Sequence, residues 1–201
     1  MNDPSAHQVL LIIADISGYT KFMVSSEIEI KHSQHIISEL IDAIIKKVDI
    51  PLEISKLEGD AIFLYAIKDN GRFTIDDIRK ITVEKLFLFF EAFHEKLQEQ
   101  ASHASCKCGA CSNVHALRLK IVAHSGEALF YQIHNFNELA GKDVILVHRL
   151  LKNSEKNEEY LLLTENAFMD IEFPCKLKLM ESSERYKYLG QVKTFVYYPS
   201  G

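Results

Sequence analysis

The sequence predicts an α+β domain with the element order β-α-β-β-α-β-β-α. Three observations carry this. Apolar runs of strand length alternate with two long segments whose apolar residues recur at helical spacing. Gly-bearing turns sit between the paired strand-like runs. The chain has 201 residues, 47% hydrophobic and 25% charged, which suits an ordinary globular core. We take residues 1–201 as a single domain with a Cys/His-rich insertion at about 101–116.

Residues 8–14 form the first strand, rich in Val, Leu and Ile, with Asp15 at its end. "SSEIEIKHSQHIISELIDAIIKKV" reads as a helix with Ser26 and Glu29 as a capping box. Its apolar stripe runs through Ile30, Ile37, Leu40, Ile41, Ile44 and Val48, and Pro51 stops it. "LEISKLEGDAIFLYAI" predicts two strands around a tight turn at Glu58-Gly59. "TIDDIRKITVEKLFLFFEAFHEKLQEQ" is a long helix with Ile78, Ile81, Phe89, Phe93 and Leu97 on its stripe. A Cys/His-rich loop covers 101–115. "ALRLKIVAHSGEALFYQI" predicts a second strand pair turning near Ser125-Gly126, and "NELAGKDVILVHRLLKN" a helix. Short strands and a short helix fill 160–199.

Composition narrows the function classes. A formal net charge of −5 argues against a general nucleic-acid binder, which carries a basic face. No apolar run reaches the roughly 18–20 residues needed to span a bilayer. No basic stretch precedes "VLLIIA", so no signal peptide is expected. The expectation is a cytoplasmic protein with reduced cysteines.

Asp15 and Asp60 are carboxylates at the ends of neighbouring predicted strands. Such a pair can hold Mg²⁺ together with phosphate oxygens. Small residues after Asp15 would free backbone N–H groups for a phosphate. Each aspartate alone reads first as a turn-favouring residue, and only the two together bring metal binding level with that reading.

Four stretches together resemble class III nucleotide cyclase catalytic domains. "ADISGYTKF" is similar to the first motif of that family, a strand ending in Asp-Ile-x-Gly-Phe-Thr. "SKLEGDAIFLY" resembles the second, Lys-x-x-Gly-Asp on a β-hairpin. "LRLKIVAHSGEALF" resembles the strand pair bearing His-x-Gly. "ELAGKDVILVHRL" resembles the helix that reads Asp-x-x-Gly-x-x-Val-Asn-x-x-x-Arg. They come in family order over residues 9–150, with a weaker echo in "GQVKTFVYY".

The resemblance implies a ferredoxin-like βαββαβ core with extra strands and helices, working as a homodimer with sites between subunits. It implies that Asp15, Asp60 and the carbonyl of Ile16 hold Mg²⁺ or Mn²⁺, and that Ser17, Gly18, Tyr19 and Thr20 meet the phosphates. It implies that Lys56 and Glu138 read a purine, with lysine pointing to ATP over GTP. Arg149, and more loosely Lys193, would steady phosphate charge. The chemistry implied is attack of the ribose 3′-hydroxyl on the α-phosphate, breaking its bond to the β-phosphate and expelling pyrophosphate. Ile145 departs from the pattern. The family's asparagine there orients the ribose, and isoleucine cannot hydrogen-bond.

The residues also admit plainer readings. Lys56 suits a solvated strand position, Arg149 a helix C-terminus, and Glu138 a first helical turn. His124 reads as a structural histidine, and His32, His35 and His94 show no ligand spacing. No Ser-His-Asp or Cys-His nucleophile pattern is present.

Cys106, Cys108 and Cys111, flanked by His103 and His115, could make a structural Zn²⁺ site of three thiolates and one imidazole. Free thiols, or redox or other metal chemistry, remain alternatives. Two functions stay open. One is a cyclase-like protein that binds a purine nucleotide with weak or absent turnover to cyclic nucleotide. The other is a non-catalytic dimerisation or regulatory module acting through protein partners.

Overall fold

The structure is a computed structural model that describes residues 5–25, 30–68, 71–102, 108–174 and 177–199. The expected capping box at Ser26 and Glu29 lies outside these residues. The strands are β1 (Ser5–Ser17), β2 (Glu53–Glu58), β3 (Ala61–Ile67), β4 (Arg118–Ile133), β5 (Phe136–Ala140), β6 (Tyr160–Thr164), β7 (Met180–Tyr186) and β8 (Gly190–Tyr197). The helices are α1 (Tyr19–Ser25), α2 (Ile30–Ile45), α3 (Ile75–Ser102), α4 (Gly109–Asn113), α5 (Lys142–Leu150) and α6 (Glu165–Asp170). A 3₁₀ turn at Val114–Ala116 follows α4.

The strands form one sheet in the order β2-β3-β1-β4-β6-β8-β7, with β5 paired to β4. The pairs are antiparallel except β4 with β6. The first four strands and their helices give the expected ferredoxin-like βαββαβ core, and β5 to β8 extend it.

β1 explains why "VLLIIA" is continuously apolar: it lies between β3 and β4 and is covered on both faces. Leu10, Ile12, Ala14 and Ile16 pack under α2 and α3, against Ile36, Ile37, Leu40, Phe89 and Phe93. Val9, Leu11 and Ile13 face the other way, towards Val144, Val147 and Leu150 of α5. α3 starts at a reciprocal cap, in which Asp77 N–H donates to Thr74 Oγ1 and Thr74 N–H to Asp77 Oδ2, each at 3.1 Å.

Four local expectations need correction. First, the single helix over "SSEIEIKHSQHIISELIDAIIKKV" gives way to α2 alone, preceded by a separate α1. Ile30, at the first residue of α2, is 58% exposed rather than on the buried stripe. α2 ends at Ile45, before Pro51, because the N–H groups of Lys47 and Val48 bond three residues back to Ile44 and Ile45. That tightens the chain out of the α-helix. Second, the β2–β3 turn is centred one residue later than expected, on Gly59 and Asp60.

Third, no turn occurs at Ser125-Gly126; β4 runs through it. The reversal comes at His134, whose φ is +53°, and leads into β5. Gly126 serves close approach instead: a Cβ there would overlap the Asp143 carboxylate. That carboxylate accepts from the N–H of Glu127 at 2.8 Å. Fourth, the helix predicted from Asn137 starts only at Lys142, because Gly141 has φ +134°, a conformation that ends β5 and cannot be helical. Glu138 is therefore a strand residue.

Candidate functional site

Asp15 follows Ile13 on the α5 face of β1, where the alternation of the strand carries it past the last buried turn of α5. Its register partners are Ala61 and Lys120. Asp60 comes from the adjoining turn, which Gly59 allows with φ +70°. The N–H of Ile16 donates to the carbonyl of Asp60 at 3.2 Å, tying the turn to the end of β1. Gly18, with φ +87°, then turns the chain into α1.

These pieces meet in one open cleft of about 500 Å³. Asp15, Ile16, Ser17, Gly18, Tyr19, Thr20 and Asp60 all line it, so seven of the predicted residues come together. A polar depression of about 370 Å³ shares Ser17, Gly18, Lys120 and Leu151 with it and continues towards Asn153 and Lys156.

Two carboxylates and three lysines line the cleft; Lys21 and Lys152 are exposed at its rim, and Lys120 is the one paired with a carboxylate. Burial, and next the charge of Asp15, push the Asp60 carboxyl up from 3.8 to about 6. Lys120 offsets part of this and holds Asp15 directly, Nζ to Oδ2 at 2.8 Å. Sequence reasoning missed Lys120. Its signal was a lysine inside "LRLKIVAH", on the same strand face as Val122 and His124. The donor set is all oxygen and doubly acidic, which fits a hard divalent cation such as Mg²⁺ or Mn²⁺.

Lys56 and Glu138, 82 positions apart, also meet: Nζ lies 2.5 Å from Oε2. Neither reading of a lone solvated lysine or a first-turn glutamate describes them. Glu138 also lines a pocket of about 240 Å³ with Tyr65, Phe130, Tyr131, Gln132 and Asn137. The Tyr65 and Phe130 rings there stand edge to face, centroids 5.1 Å apart.

Arg149 is not brought to the aspartate cleft. It is exposed on the outer face of α5, one turn after Ile145, which is 55% exposed. Lys193 lies on β8 and pairs with Glu165 at 3.3 Å and Glu181 at 3.6 Å, at the other end of the sheet from Asp15. His124 is the structural histidine expected. Nδ1 is 2.9 Å from Thr164 Oγ1 and Nε2 3.1 Å from Asp143 Oδ1. Burial holds its pKa below the usual value.

The Cys/His-rich segment differs from the spacing expected of it. Cys106 and His103 lie outside the described residues. Cys108 and Cys111 group with His32 of α2 rather than with His115. His115 instead lines a separate hollow with His94 and Glu159. No helix among the described residues is long and apolar enough to cross a membrane.

The profile of a family described as "Protein of unknown function (DUF2652)" matches residues 37–160. "Uncharacterized protein Rv2561/Rv2562" of Mycobacterium tuberculosis is 34% identical over 114 residues, 57% of this chain. The match spans 50% of that relative's length.

Among solved structures, the adenylyl cyclase CyaB from P. aeruginosa superimposes with a TM-score of 0.68 at 13% identity, covering 99% of this chain and 97% of that one. The guanylyl cyclase Cya2 gives 0.70 at 14% identity, over 96% and 92% of the two chains. A rhodopsin-guanylyl cyclase catalytic core in complex with ATPalphaS gives 0.59 at 13% identity, over 97% and 98%. At such identities the likeness is one of fold: the chain has the class III nucleotide cyclase catalytic fold.

Proposed function

The chain belongs to the DUF2652 family, and from its cyclase fold and its cleft we propose that it binds a purine nucleotide with a divalent metal and turns it over weakly or not at all. The observation that carries this is the cleft itself. Asp15 and Asp60 line it together beside the Ser17–Thr20 turn, close enough for the charge of Asp15 to raise the Asp60 carboxyl, and Lys120 stands in as counter-charge.

Asp15, Asp60 and the carbonyl of Ile16 would hold Mg²⁺ or Mn²⁺, which supplies positive charge to the nucleotide phosphates. Lys120, released from Asp15 when a cation takes over that carboxylate, is then free to pair with a phosphate oxygen. Lys56 and Glu138 would read the base as a donor and an acceptor, favouring ATP over GTP. The rings of Tyr65, Phe130 and Tyr131 offer that base an apolar wall.

Arg149 does not line the cleft of its own chain. Its role in steadying phosphate charge therefore calls for a second copy, and the reading includes a homodimer. Exposed Ile133, Phe136 and Ile145 are apolar groups that a second copy would cover. The role of Lys193 would likewise require release from Glu165 and Glu181.

Ile145 is where binding and turnover part. Being exposed, it serves no packing need within its own chain. At the position where a ribose would be oriented it offers no hydrogen bond. Alignment of reacting groups can be worth about 7–11 kcal/mol in the best intramolecular cases, so its loss weakens turnover while phosphate and base contacts persist. We place the protein in the cytoplasm, where such nucleotides are found.

The test is titration with ATP and GTP in Mg²⁺ or Mn²⁺, with chromatography of the products. ATP binding tighter than GTP, with slow or absent cyclic AMP formation, is expected. Brisk cyclic nucleotide synthesis would refute the weak turnover. Binding of neither nucleotide would favour a module that dimerises or regulates partners.

A further inference from the structure

We propose that His32, Cys108 and Cys111 bind a structural Zn²⁺ that fastens the segment after α3 onto α2. The three residues each offer a ligand atom, and these atoms lie within 4.8 Å of one another. Cys108 Sγ is 3.4 Å from His32 Nδ1, and Cys111 Sγ is 3.9 Å from Nε2. With Zn–S near 2.3 Å and Zn–N near 2.0–2.1 Å, tetrahedral ligands stand about 3.5 Å apart for N to S and about 3.8 Å for S to S. The observed spacing already approaches this. A small rotation of the imidazole, presenting one nitrogen to both sulfurs, completes the approach.

Two thiolates and one imidazole form a donor set suited to zinc rather than to Mg²⁺. The N–H of Cys111 donates to Cys108 Sγ at 3.4 Å, a cap that fixes both cysteines at the start of α4. The three side chains are half-buried, so the cluster is accessible for loading.

The site also answers a stability question. α4 has 5 residues, too few for a helix that persists by itself. It is held by Ala110 and by Val114 of the following 3₁₀ turn, both buried in the core. A metal shared with α2 supplies a third anchor. The anchored stretch ends at Ala116 and Leu117, which back the turn at Gly18 so closely that a Cβ there would lie 3.4 Å from the Ala116 carbonyl. The zinc would thus buttress the floor of the aspartate cleft without taking part in it. The inference is independent of the nucleotide reading.

The test uses the full chain purified without chelator. Elemental analysis should find about one zinc per chain, its fourth position taken by water or one further ligand. Replacement by Co²⁺ should give thiolate-to-cobalt absorption that weakens in Cys108→Ser and again in the double variant with Cys111→Ser. His32→Ala should lower zinc affinity at least tenfold in competition with a chromophoric chelator, whereas His115→Ala should leave it unchanged. Stripping zinc from the folded wild type, which needs no variant, should lower its Tm. The proposal is overturned if the wild type holds no zinc and its Cys108 and Cys111 form a disulfide or titrate as ordinary thiols. It is equally overturned if zinc persists undiminished in His32→Ala.

Discussion

Replacing Asp60 with asparagine should stabilise the metal-free protein at neutral pH and at the same time abolish its stabilisation by Mn²⁺. Folding brings the Asp60 carboxyl from 3.8 to about 6, through burial and the facing Asp15 charge. At about 1.4 kcal/mol per pH unit, that rise sets a ceiling of about 3 kcal/mol on the cost of ionised Asp60 above pH 6. The carboxyl is only half-buried, and solvent screening brings the expected gain from Asp60→Asn down to about 1–1.5 kcal/mol. For a chain of this length that is a Tm increase of roughly 3–5 °C.

The sign follows from proton uptake. Between about pH 4 and pH 6 the folded protein keeps a proton on Asp60 that the unfolded chain has lost. The stability this group contributes is greatest below that window and falls as pH rises through it. His124 acts oppositely. Burial lowers its pKa, so its contribution falls as pH drops below about 6.5. His124 is common to both proteins and cancels in the wild-type-minus-variant difference.

The assay is thermal denaturation of wild type and Asp60→Asn in chelator, from about pH 4 to pH 8, repeated with Mn²⁺ at neutral pH. The gain should vanish near pH 4 and reach its full size by pH 7. Asp15→Asn should shrink the pH-dependent difference, because it removes the charge that faces Asp60. A gain of equal size at pH 4 and pH 7, or a loss at pH 7, would refute the claim that the two carboxylates oppose each other in one cleft.

Ile145→Asn should raise cyclic nucleotide formation at least about tenfold, or 1.4 kcal/mol in barrier, while ATP affinity changes little; an unchanged rate with ATP bound would remove the ribose argument. Lys56→Ala should weaken ATP binding about tenfold and narrow its preference over GTP, measured by calorimetry; equal loss for both nucleotides would deny Lys56 a base-reading role. Gly126→Ala should destabilise by about 1–3 kcal/mol, because its Cβ displaces the Asp143 carboxylate from the Glu127 N–H. Urea denaturation checks this, and a neutral result would mean that α5 shifts without cost.

The sequence exposed those parts of the fold whose signals are periodic and local. The stripe of α3 reads directly from Ile78 to Leu97, and "VLLIIA" announces a strand buried on both faces. The β4 reversal was hidden because His-Ser-Gly looks like a turn. What makes Gly126 necessary is a carboxylate arriving from α5, at Asp143, and no local pattern shows that. The boundary at Gly141 was hidden by good helix formers on both sides of it. Only the backbone dihedral separates strand Glu138 from helix Lys142.

Long-range pairs divide in an instructive way. Lys56 and Glu138 are far apart in sequence, yet both could be picked out, because each belongs to a motif of a shared fold and the fold brings the motifs together. His32 and Cys108 are 76 positions apart and meet at 3.4 Å, but only the cysteine end was visible. The Cys/His segment is an insertion with respect to the cyclase motifs, so no motif reports what it packs against. Ligand spacing points only to neighbours in sequence, here His103 and His115. The approach of His32 depends instead on how α4 seats against α1 and α3, with Ala110 and Val114 buried, which brings Cys108 and Cys111 to α2. Non-local side-chain chemistry is thus legible where the fold itself is recognised. In a segment peculiar to this chain, the tertiary contact has to be built before the chemistry can be read.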